Sequence, residues 1–272
     1  MPLTTQQQAF FDTFGFLTFP GLLSAEIGWI TSEFEAVHAR HSGPKHDGTR
    51  RTCIVPFIDQ SERLCALLDH PALVDIAASL LGDDFNYLGG DGNYYTGDTN
   101  WHSDGWHAQG RYIKMALYLD PVTRDTGCLR VLPGSHRTDC GWVADVRKIG
   151  RSEETFGIPG RDVPAFPLES RPGDVVIFNH NLQHASFGGG SARRMFTLNL
   201  CRRAQTEIEI QDLRDYINGH ARFWLDHLHS DIMRQTASPQ RMRHLEQVIA
   251  NEGHLAELSR QARETMVEPS RG

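Results

Sequence analysis

Residues 171–200 read RPGDVVIFNHNLQHASFGGGSARRMFTLNL. Pro172-Gly173 marks a turn. The run Val175–Phe178 that follows is β-branched and aromatic, and Met195–Leu200 repeats that texture after the turn Gly188-Gly189-Gly190. Runs this short, bounded by turn residues, read as strands. His184 and Ser186 lie between the two runs, and Arg193 opens the second. The segment therefore describes short strands separated by turns, with candidate metal-binding and anion-binding side chains near those turns.

Upstream the same texture recurs at Phe85–Leu88, Asn93–Thr96, Tyr112–Leu119 and Leu129–Leu132, the last closed by the turn Leu132-Pro133-Gly134-Ser135. These spacings predict an all-β core, sandwich or barrel, over residues 83–203. Residues 1–82 are mostly helical. Thr4 or Thr5 caps a helix in which Phe10, Phe11 and Phe14 recur at helical spacing, Gly15 ends it, and the short apolar run Phe16–Phe19 follows. Further helices are expected from Ser24 to about Arg40, over Gln60–Leu68 and over Pro71–Leu81. The polar segment Gly141–Pro164 is a long connection able to cover a site. After Ala204 the chain becomes helical to its end, with Ser238-Pro239 opening a helix that contains Met242, Leu245, Val248 and Ile249. This reading gives one unit at 1–203 and a helical C-terminal extension at 204–272 packed on the same domain. The extension is assigned only packing or a role in a homo-oligomer.

With 272 residues, 39% of them hydrophobic, the chain can build one substantial core. A formal net charge of -7 argues against a polyanion binder, so nucleic acid is not expected as a partner. Cys53, Cys65, Cys128, Cys140 and Cys201 are scattered and form no C-x-x-C pair, which points to a reducing cytoplasm and away from a disulfide framework. Neither an export signal nor an apolar run of membrane-spanning length is read in the sequence.

His102-Ser103-Asp104 offers two metal ligands one residue apart, which an extended strand places on one face. The same tripeptide recurs at His229-Ser230-Asp231. That copy is expected within a helix, where residues two apart point about 200° around the axis, and it reads as a solvated helix face. His184 adds a second imidazole to the first copy. Two histidines and a carboxylate fill one face of an octahedral ion and leave positions for a chelating co-substrate and oxygen, as in non-haem iron(II) sites; a zinc site stays open on the donor set alone. In the strand beginning at Arg193, residues Arg193, Met195, Thr197 and Asn199 share a face, so the Arg193 guanidinium can clamp a carboxylate there. Ser186 can add a hydroxyl. Arg194 points the other way unless the strand register is off by one.

The segments NYYTGDTNWHSDGWH, IKMALYLDPVTRDTGCLRVLPGSHR and the one quoted at the outset, spanning roughly residues 5 to 203, strongly resemble the phytanoyl-CoA dioxygenase-like family of 2-oxoglutarate oxygenases. The resemblance implies a double-stranded β-helix (jelly-roll, cupin-like) core, mainly β with flanking helices. It implies iron(II) bound by His102, Asp104 and His184, with 2-oxoglutarate held by Arg193 and Ser186 and oxygen as the second co-substrate. Because Asp104 is present, hydroxylation of a small-molecule C–H is favoured over halogenation. Lys114 and Tyr118 share a strand face and can support the co-substrate or substrate. Met115, Leu117 and Leu119 face the core. Tyr94, Trp106, His107, Arg50 and Arg51 are candidates to contact substrate, and His136 is left out of the metal site. Two other readings are a cupin-like zinc or manganese hydrolase or isomerase, and an inactive β-sandwich binding protein.

Overall fold

The computed structural model describes residues 2–43, 45–139 and 141–271, so Cys140 lies outside the described residues. The first helix, α1 (Thr5–Phe14), starts on a capping box in which Thr4 Oγ1 accepts from the Gln7 amide and Gln7 Oε1 accepts from the Thr4 amide. Gly15 ends it at φ +86°, and a Cβ there would meet His136 Nδ1 at 2.5 Å. Helix α2 (Ile27–Arg40) begins later than the sequence suggested, because Ser24 is held in a turn on the Gly21 carbonyl. The stretch expected as one helix over Gln60–Leu68 is split. Ser61 caps the short helix α3 (Glu62–Cys65), and a 3-10 turn, Ala66–Asp69, leads to α4 (Pro71–Leu81).

The strands are β1 (Phe16–Phe19), β2 (Thr52–Ile54), β3 (Asn86–Tyr87), β4 (Gly92–Tyr95), β5 (Thr99–His102), β6 (Tyr112–Tyr118), β7 (Leu129–Val131), β8 (Phe166–Leu168), β9 (Val175–Asn179), β10 (His184–Ser186) and β11 (Arg193–Cys201). They form two antiparallel sheets. The larger has the order β1-β9-β6-β11-β4-β2, with β3 also paired to β11; the smaller has the order β5-β10-β7-β8. The sequence did not single out β2, β5, β8 or β10. Each is three or four residues long and exists through its cross-strand partners, which a local pattern cannot show.

Alternation along β6 sorts the interior. Met115 and Leu117 join Phe34, Phe57 and Ile76 beneath the N-terminal helices, while Ala116 and Tyr118 join Leu129 and Phe178 between the sheets. The Gly141–Pro164 connection holds two short helices, α5 (Val143–Val146) and α6 (Ser152–Phe156). It lies against β5, fixed where Asn100 Nδ2 donates to the Gly150 carbonyl and Trp101 Nε1 to the Gly160 carbonyl, and does not line the central cavity.

The C-terminal part contains α7 (Glu207–Asn218), a 3-10 turn Gly219–Phe223, α8 (Asp231–Thr236), α9 (Pro239–Arg243), α10 (Glu246–Asn251) and α11 (Leu255–Thr265). Ser238 caps α9 as expected, but the helix predicted through Ile249 is interrupted at His244. There the ring stacks on Phe85 at 3.8 Å and its Nδ1 donates to the Phe85 carbonyl, which ties the segment to the β3 region. Leu213, Ile217, Val248 and Leu255 pack with Leu88 and Tyr112 of the β core. The second His-Ser-Asp copy is not a solvated helix face. Ser230 is the N-cap of α8, and His229, just before it, is 1% exposed and stacked on Tyr87. No single helix among the described residues is long and apolar enough to cross a membrane.

Candidate metal centre and cavity

The pairing of β10 with β5 sets His184 directly opposite His102, and Asp104 follows β5 on the same side. The candidate ligand atoms of the three residues lie within 4.8 Å of one another. Both imidazoles are oriented by the backbone. His102 Nδ1 lies 2.8 Å from the Asn100 carbonyl and His184 Nδ1 2.9 Å from the Leu182 carbonyl. A carbonyl can only accept, so each Nδ1 carries the proton and each Nε2 keeps a free lone pair, the arrangement that metal-bound histidines need. Burial, with His102 beside it, pushes the His184 pKa down to about 3, so this ring is neutral at physiological pH. Asp104 responds oppositely. Burial alone would raise its pKa, but the Lys114 ammonium and the neighbouring imidazoles outweigh it and hold the carboxyl well below the usual carboxylate range. Lys114 Nζ contacts Asp104 Oδ1 at 2.8 Å, whereas Oδ2 is buried, has no hydrogen-bond partner and lies 3.8 Å from His184 Nε2. An unpartnered carboxylate oxygen and two inward-facing Nε2 atoms are a donor set that suits a divalent cation.

The three residues open onto a cavity of about 540 Å³ between the sheets, which Lys114, Tyr118, Ser186 and Arg193 also line. Arg193 is 6% exposed, yet its Nε and Nη1 have no protein partner. Unpaired donors on a buried guanidinium cost roughly 1–3 kcal/mol each or more, and an anion in the cavity could satisfy them. Its space is made by glycines. A Cβ on Gly127 would fall 1.7 Å from Nη1, and one on Gly189 would fall 2.5 Å from it. Ser186 Oγ donates to the Gly127 carbonyl at 2.9 Å and so braces this wall. Arg194 turns outward, bonding Asp120 and Glu35 at 2.6 Å each. That pairing removes it as the alternative anion clamp.

Of the other candidates, Arg51 reaches the cavity, paired to Asp91 at 2.8 Å and lying over the Tyr95 ring. Four do not line it. Tyr94 faces the N-terminal helical layer, packs against Phe34 and donates to Glu35, Arg50 pairs with Glu268 at the surface, Trp106 lies exposed under Arg147, and His107 stacks on Tyr112 at 3.6 Å. His136 stays out of the metal centre, with its Nε2 on the Asp12 carbonyl. Sequence reading placed Thr197 on the Arg193 face but missed Tyr95 and Asp91. It also missed Tyr216, His220 and Phe223 of the C-terminal part, all of which line the cavity. Tyr95 is the cross-strand partner of Arg193 and therefore shares its face, a signal available only once β4 and β11 are paired.

Comparison with known proteins agrees with this architecture. The family model described as phytanoyl-CoA dioxygenase matches residues 11–195. Ectoine dioxygenase from Sphingopyxis alaskensis is 26% identical over 221 residues, covering 69% of this chain and 71% of the relative. Among solved structures, the fold is shared with the non-heme alpha-ketoglutarate-dependent carbocyclase SnoK from nogalamycin biosynthesis (TM-score 0.59, 19% identity, 74% of this chain and 84% of that one). It is shared also with iron-bound EctD from S. alaskensis (TM-score 0.59, 24% identity, 74% and 77%). With a jelly-roll core, a two-histidine, one-carboxylate cluster and a family match over most of its length, the chain belongs to the phytanoyl-CoA dioxygenase family of iron- and 2-oxoglutarate-dependent oxygenases.

Proposed function

We propose that this enzyme hydroxylates an unactivated C–H bond of a small organic molecule, with iron(II) held by His102, Asp104 and His184 and 2-oxoglutarate anchored through its distal carboxylate by Arg193. The observation that carries this reading is the convergence, in one cavity, of a metal-ready donor set and a buried, unpartnered guanidinium. 2-Oxoglutarate bound at the metal accounts for a guanidinium left free in the same cavity. When bound, iron and 2-oxoglutarate supply the oxidising chemistry, the co-substrate leaving as succinate and carbon dioxide.

The chain's own residues contribute position and exclusion of water. The Asn100 and Leu182 carbonyls hold the two rings with Nε2 inward. Lys114 takes one oxygen of Asp104 and leaves the other for the ion. Arg193 offers a planar pair of N–H donors, the geometry that binds a carboxylate at two points. No general base is assigned, since none is needed for hydrogen abstraction from carbon. Retention of Asp104 favours hydroxylation over halogenation, and the curated relatives named ectoine dioxygenase favour oxygen insertion over cyclisation or epimerisation.

The test is oxygen-dependent formation of succinate from 2-oxoglutarate by the full chain with iron(II), lost in His102→Ala and in Asp104→Ala. Undiminished turnover in both variants overturns the reading. Mass spectrometry of the product of a screened substrate tests the reaction type: gain of one oxygen atom supports hydroxylation, and loss of two hydrogens or unchanged mass refutes it.

A further inference from the structure

The C-terminal part, which lies beyond the family match, forms one wall of the cavity through Tyr216 on α7 and His220 and Phe223 in the turn after it. The Tyr216 ring is packed among His107, Tyr112, His180 and His220, with centroids 5.1 to 5.9 Å away. No hydrogen bond is made by its hydroxyl among the described residues. A phenol packed among four rings normally finds a partner for its hydroxyl, and half-buried Tyr216 borders the cavity instead. Burial pushes its pKa well above the ordinary tyrosine value, so the hydroxyl keeps its proton and is a donor.

His220, one helical turn on, is 8% exposed. Its Nδ1 lies 3.1 Å from the Tyr216 carbonyl, which fixes the proton on Nδ1 and leaves Nε2 as an unpartnered acceptor. The wall thus presents one donor and one acceptor on rings whose centroids lie 5.1 Å apart, and neither carries charge.

The charges elsewhere in the cavity are already matched. Arg51 is paired with Asp91 and Lys114 with Asp104, each at 2.8 Å, and Arg193 is reserved for the co-substrate. Asn199 Oδ1, also buried without a partner, is neutral. Asp215 and Arg222 sit at the exposed rim, the first bonded by Gln211 and the second lying over Phe223.

We propose that Tyr216 and His220 are the substrate-selecting pair of this enzyme, and that they take a neutral group offering both an acceptor and a donor, such as a carboxamide or a hydroxyl. The proposal rests on the oxygenase reading for its account of Arg193 and the metal. The substrate's carbonyl or hydroxyl oxygen accepts from Tyr216, and its N–H or O–H donates to His220 Nε2. A carboxylate has no donor for His220, and an ammonium has no acceptor for Tyr216.

Three probes share a ring and differ only in that group: benzamide, sodium benzoate and benzylammonium chloride. Calorimetric titration is run on the metal-free full chain and on the chain loaded anaerobically with iron(II) and 2-oxoglutarate. The loaded protein is expected to bind benzamide at least threefold more tightly than either charged probe. Tyr216→Phe and His220→Ala are each expected to weaken benzamide about threefold to tenfold, the worth of one hydrogen bond, with circular dichroism checking that they fold. Equal binding of the three probes to the wild-type chain overturns the proposal without any variant, and so does unchanged benzamide affinity in both folded variants. The visible charge-transfer band of iron(II) with 2-oxoglutarate, read on the wild-type sample, separates the two ideas. If it is absent, the oxygenase reading fails and the benzamide preference is judged on the metal-free chain. If it is present without that preference, only the present proposal fails.

Discussion

Lys114 Nζ lies 2.8 Å from Asp104 Oδ1, so the carboxylate of the metal centre is held by an ammonium from the opposite sheet. The contact occupies one oxygen and turns the other toward the histidines. Loss of such an outer partner costs roughly 10- to 100-fold in metal affinity or activity. Lys114→Met should therefore weaken iron(II) binding in anaerobic titration by about that range, with Lys114→Gln, which keeps a donor, falling between it and the wild type. Tighter binding in Lys114→Met would mean that the ammonium competes with the ion and does not orient its ligand.

The two adjacent arginines of β11 should behave as opposites. Arg193→Gln removes the buried clamp and is expected to raise the KM for 2-oxoglutarate by at least about 30-fold, since losing one partner of a buried charged pair costs roughly 2–5 kcal/mol. Arg194→Gln breaks the outward cluster with Asp120 and Glu35, so it should lower Tm by a few degrees and leave that KM within about twofold. Gly127→Ala should resemble Arg193→Gln, because its methyl group would occupy the place of Nη1 and its φ of +93° disfavours any side chain. A KM unmoved in both Arg193→Gln and Gly127→Ala would place the co-substrate elsewhere.

Acid should loosen the N-terminal layer through His38. Burial against Phe34 and Phe57 pushes its pKa down to about 4, although Glu35 acts to raise it, and its Nε2 is buried without a partner. Because the folded value lies below the unfolded value near 6.5, the unfolded chain binds the proton first. Stability is fully present above pH 6.5 and is lost as pH falls from there toward 4. His38→Phe keeps an aromatic ring and removes the titration. Its Tm should fall less across that window, by roughly 2–4 °C at the acid end. Parallel Tm curves for the two proteins would refute the assignment.

What could be read in the sequence followed the reach of local pattern. His102, Asp104, His184 and Arg193 carry metal-binding and anion-binding groups at meaningful spacing beside turns, and the folded chain gathers all four into one cavity. The strand runs were visible because β-branched and aromatic residues cluster there, yet the choice of face was not. Tyr94 was preferred over Tyr95, and Arg50 was weighed equally with Arg51, although only Tyr95 and Arg51 reach the cavity. That choice depends on which strands pair and in what register, and a one-residue slip reverses every side chain. The docking of α7 was out of reach for a different reason. The sequence of an amphipathic helix shows that one face is buried but not against which surface, so Tyr216 and His220 gave no sign of their place.

The short join between β5 and β10 gives the metal centre a second meaning. β5 is the edge of the smaller sheet and, among the described residues, pairs only with β10, through His184 opposite His102 and Ser186 opposite Thr99, with an irregularity between them. An ion gripped by His102 and Asp104 on one side and His184 on the other would be a clasp across this edge of the smaller sheet. The same atom that equips the enzyme for chemistry would then fasten the margin of its own scaffold.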